Sequence, residues 1–180
     1  SSSFQRQGGF FSAMFRKMFG GENFFLGKYE HPDGGTLTFA PSIPGAVEHY
    51  NLSNNHLNIM AGCFLACTPG VNIKAKFGGF KALFSGEGAF LLEASGNGDL
   101  FFNSFGGIIE KEINGEFIVD TGHVVAFEPT LNYKISGMGN WKSTMLSGEG
   151  LVMTFNGNGK IYLQTRTVDG IASWLTPRLI

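Results

Sequence analysis

The sequence predicts an all-β protein of tandem units. Three observations carry this expectation: 27 glycines, 19 phenylalanines and a short string that occurs three times in 180 residues. Glycine without a collagen-like period marks turns, and phenylalanine favours half-buried pleated surfaces. At 43% hydrophobic and 15% charged, the chain has enough apolar material for a core, and disorder is excluded.

The string is Phe19-Gly20-Gly21-Glu22-Asn23, then Phe84-Ser85-Gly86-Glu87-Gly88, then Leu146-Ser147-Gly148-Glu149-Gly150. Its glutamates are 65 and 62 residues apart. An apolar run follows each one, beginning at Phe24, Ala89 and Leu151. Next come a glycine-rich stretch and a second run: Gly34–Phe39, Gly96-Asn97-Gly98 before Leu100, and Gly157-Asn158-Gly159 before Ile161. Asn-Gly between two such runs predicts a hairpin turn. Alternation puts Ile161, Leu163 and Thr165 on one strand face, with Tyr162, Gln164 and Arg166 on the other.

Upstream, Gly62–Pro69 aligns with Gly122–Pro129, Asn72 with Asn132 and Lys74 with Lys134. Before each glutamate sits a glycine-flanked insert that pairs aromatic with basic residues. In the first copy Phe10, Phe11, Met14, Phe15 and Met18 accompany Arg16 and Lys17; later copies have Phe80 beside Lys81 and Trp141 beside Lys142. Helical spacing of Phe11, Met14, Phe15 and Met18 predicts a short amphipathic helix within 8–19, and about one turn in the other two inserts. The expected units are 1–52, 53–114 and 115–180. The first lacks opening strands, so a segment of a few tens of residues is expected ahead of Ser1.

These features resemble the altered-inheritance-of-mitochondria protein 24 family. The resemblance rests on the insert before Glu22, on Pro41-Ser42-Ile43-Pro44-Gly45, on Cys63–Val71, on Gly86-Glu87-Gly88, on Asp120–Phe127, on Gly148–Leu151 and on Gly159–Gln164, and it covers nearly the whole chain. It implies a fold like that of the trp RNA-binding attenuation protein: three short double-stranded β-helix units in pseudo-threefold arrangement, the first incomplete at its N-terminus. It also implies a role in membrane organisation, with inner-membrane association in mitochondria for eukaryotic members and a cytoplasmic setting for bacterial ones. It brings no catalytic residues.

The residues set the remaining expectations. A net charge of −1 and a pI near 6.4 make nucleic acid an unfavoured partner without a local basic patch. Cys63 and Cys67 read as two reduced thiols and not as a disulfide framework, and neither has further metal ligands nearby in sequence. There is no run of 18 apolar residues. Glu22, Glu87 and Glu149 read as carboxylates that accept backbone N–H bonds within glycine turns; convergence on a cation is the rival reading. His31, His49, His56 and His123 form no nucleophile motif, so neither an enzyme nor a cofactor is expected. Two readings of the inserts stay open: an interfacial site for an anionic membrane, or caps and contacts of a self-association interface. The expected function is a non-enzymatic scaffold that forms homo-oligomers. The alternative is a small-ligand or RNA-binding module.

Overall fold

The computed structural model of the chain describes residues 26–30, 32–76, 91–137 and 151–178. The chain divides into two units, 1–39 and 40–180. In the first, the described residues carry neither helix nor strand. The strand expected over Gly34–Phe39 does not form. A β segment is stabilised by burying one face within a ladder, and residues 32–39 are all exposed.

The second unit contains β1 (Val47–Met60), β2 (Phe64–Cys67), β3 (Val71–Lys76), β4 (Leu91–Asn103), β5 (Ile108–Asp120), β6 (Val124–Phe127), β7 (Asn132–Gly137), β8 (Leu151–Gln164) and a terminal helix α1 (Val168–Leu175). The strands form one antiparallel sheet in the order β2-β4-β1-β6-β8-β5, with β3 also on β4 and β7 also on β8.

The sheet is one design built twice. The long strand β1 pairs with β4 along its whole length, as β5 does with β8. A 3-10 turn follows each, Ala61–Cys63 and Thr121–His123. Next, β2 pairs with the C-terminal half of β4, and β6 with that of β8. A bulge falls at the same place in both, between Phe64 and Ala66 and between Val124 and Ala126. The chain then makes a tight turn, closed by Val71 N–H to Thr68 O at 3.0 Å and by Leu131 N–H to Glu128 O at 3.1 Å. Pro69 and Pro129 suit the second position of such a turn. β3 and β7 continue along the remaining halves, in matching register: Asn72 opposite Ser95, Asn132 opposite Asn156. The sequence alignment of Gly62–Pro69 with Gly122–Pro129 therefore coincides with the structural repeat. The boundaries at 52/53 and 114/115 fall inside β1 and β5; the same repeat cut at strand starts begins at Val47 and Ile108. Of the expected opening unit, 1–52, residues 1–25 and 31 lie outside the described residues.

One expectation is corrected. Gly96-Asn97-Gly98 and Gly157-Asn158-Gly159 are not hairpin turns but lie in the middle of the continuous strands β4 and β8. The glycines answer to a distant part of the chain. Gly96 and Gly157 have φ of +115° and +132°. A Cβ on Gly96 would lie 2.4 Å from Gly70 O, and one on Gly157 2.8 Å from Thr130 O. The tight turn crosses these strands here, and only glycine lets the two backbones approach so closely.

Equivalent positions fill the core of both repeats. Leu52, Val71, Leu92 and Leu100 are buried in the first, and Ile113, Leu131, Met153 and Ile161 take their places in the second. Phe127 and Phe155 meet edge-on, with ring centroids 5.0 Å apart. Tyr162, on the opposite face of β8 from Ile161, is buried as well. Its ring packs against Phe102 and Tyr50 of the first repeat, at 5.2 and 6.4 Å. That face is thus covered by the neighbouring repeat.

Candidate interaction surface

The sequence pointed to Phe10, Phe11, Met14, Phe15, Arg16, Lys17, Met18, Phe80, Lys81, Trp141 and Lys142, and to the turn carboxylates Glu22, Glu87 and Glu149. All of these lie outside the described residues. The described residues offer two other features: a cross-strand polar pair used twice and the apolar side of α1.

The polar pair sits at one position of both repeats, with its acidic and basic residues exchanged between the two strands. In the first, His49 Nε2 on β1 lies 2.8 Å from Asp99 Oδ1 on β4. In the second, Lys160 Nζ on β8 donates to Glu110 Oε1 on β5 at 2.7 Å. Hydrogen bonds from His49 and then Asn51 hold the Asp99 carboxyl below its usual range. The hydrogen bond to Glu110, reinforced by its charge, holds the Lys160 ammonium above its own. Both pairs are solvated, which makes each a weak contributor to stability. Close by, burial raises the hydroxyls of Tyr162 and Tyr50, with further upward pushes from Glu110 on the first and Glu128 on the second. Among the described residues no group of three or more His, Cys, Asp or Glu side chains is placed to hold a metal ion.

The nucleophile candidates are held in inert settings. Cys63 and Cys67 are both free thiols. Burial pushes Cys63 up to about 12, and half-burial raises Cys67. A neutral thiol is a poor nucleophile. Cys63 closes a 3-10 turn and Cys67 ends β2, beyond the bulge. His123, which replaces Cys63 in the repeat, has Nδ1 2.7 Å from the backbone carbonyl oxygen of Gln164. The Gln164 side chain donates to Gly122 O at 2.7 Å and accepts from Phe105 N–H at 2.8 Å. Together they fasten the end of β8 to the turn before β6.

The stretches leading into β1 and β5 meet. Gly45 and Gly106 form a parallel bridge, with Ala46 N–H donating to Gly106 O at 2.8 Å and Gly106 N–H to Pro44 O at 3.0 Å. A Cβ on Gly45 would fall 1.7 Å from Ser104 O, so this approach needs glycine. Here the family-like segment Pro41–Gly45 finds its structural meaning. A shallow open cleft lies at the crossing, lined by Pro44, Phe105, Gly106, Arg166 and Ile171 among others.

Helix α1 was not foreseen, although its signals are local. Thr167 caps it, its Oγ1 accepting from Gly170 N–H at 3.0 Å, and Asp169 stands in the first turn. Val168, Ile171, Trp174 and Leu175 recur at helical spacing, yet no residue of the helix is buried. Val168 and Trp174 are 61% and 57% exposed. The Arg178 guanidinium stacks 4.3 Å from the Trp174 ring. Among the described residues no helix is long and apolar enough to cross a membrane.

Comparison with known proteins places this arrangement. Residues 1–166 match the family described as Mitochondrial biogenesis AIM24. An uncharacterized protein of Streptococcus pyogenes serotype M6 is 32% identical over 166 residues, which is 91% of this chain and 67% of that protein. The crystal structure of another Streptococcus pyogenes protein superimposes with a TM-score of 0.66 at 30% identity, covering 77% of this chain. This chain spans 62% of the length of that structure.

Proposed function

Because the chain belongs to the Mitochondrial biogenesis AIM24 family, we propose that it is a non-enzymatic scaffold that associates with itself and rests on an anionic membrane surface. The observation that carries the reading is α1. On its apolar side Val168, Trp174 and Leu175 are exposed while Ile171 is half-buried at the cleft, and Arg166 and Arg178 stand at its two ends. An apolar helix side with cations and an amphipathic tryptophan suits the headgroup–acyl boundary of a bilayer. The inserts around Phe10–Met18, Phe80-Lys81 and Trp141-Lys142 have the same chemistry in sequence and would add to the attachment. Neutral thiols and a histidine engaged with backbone support a role without catalysis. Free cysteines fit a reducing compartment, the cytoplasm in a bacterium. The RNA or ligand reading gains little: the cleft is open, and among the described residues Arg166 is the one cation lining it.

Sedimentation with vesicles of phosphatidylcholine and phosphatidylglycerol tests the membrane reading. Binding is expected at low salt and should fall as salt rises. Replacing both Val168 and Trp174 by serine should weaken it by about tenfold or more, since each large apolar side chain contributes roughly 1.5–3 kcal/mol on burial. No binding of the unaltered chain at low salt would overturn it.

A further inference from the structure

We draw no further inference here: the strongest candidate, the shallow cleft where Gly45 crosses Gly106, with Pro44, Phe105 and Ile171 as its apolar lining and Arg166 as its cation, carries nothing because nothing in the structure shows what covers it.

Discussion

Gly115 and Gly157 face each other across β5 and β8, and both have a backbone that side chains rarely adopt, with φ of +102° and +132°. Their surroundings differ. A Cβ on Gly115 would meet nothing within 4 Å, whereas one on Gly157 would strike the Thr130 carbonyl. Gly115→Ala should therefore cost only the backbone penalty, roughly 1–2 kcal/mol. Gly157→Ala should cost clearly more, because the crossing turn must also move; urea denaturation of the two variants gives the comparison. Asp99 allows a prediction about acid. Its folded pKa lies below the ordinary 3.8, so its contribution is complete above that value and is lost as pH falls through the lowered one. Asp99→Asn should lower stability slightly at neutral pH, and its difference from the unaltered chain should fade as pH falls below about 4. An equal loss at pH 7 and pH 3 would show that the carboxylate charge is not what matters there.

The strands were largely legible because they alternate and because their partners recur. Gly-Asn-Gly misled for a physical reason: hairpin turns and mid-strand close approaches both select glycine, and only the arrival of Gly70 or Thr130 from elsewhere tells them apart. The burial of Tyr162 is not legible in the sequence, since its cover comes from Phe102 and Tyr50 of the other repeat. Helix α1 is the reverse case, with a threonine cap, an early aspartate and an apolar period all local and readable. At 8 residues it is too short to hold its shape by propensity alone. Thr167→Ala should remove about 1 kcal/mol of helix stability. It should lower vesicle binding and leave the sheet's unfolding midpoint almost unmoved, as circular dichroism alongside sedimentation would show.

At the scale of the molecule, the repeat was legible because equivalent ladder positions make equivalent demands. Asn72 and Asn132, Lys74 and Lys134, Pro69 and Pro129 recur since the same turn must cross the same bend twice. The functional surface was less legible. Aromatic and basic residues stand out as composition, and they drew attention to the inserts. The apolar side of α1 is readable only as a period; that Val168 and Trp174 stay exposed shows only in the fold.

The pairing of β1 with β6 also bears on how such chains are inherited. It joins one repeat to the next, and the crossing of Gly45 with Gly106 depends on the stretch just ahead of a long strand, not on the rest of the chain. An in-frame duplication of the segment from Val47 to Gly107 would therefore insert a further unit whose contacts on both sides already exist. Recombination could lengthen or shorten the array by whole units without inventing a new interface. The exchange of His49–Asp99 for Glu110–Lys160 is the kind of difference expected afterwards, when copies are free to diverge wherever a solvated pair only needs opposite charges.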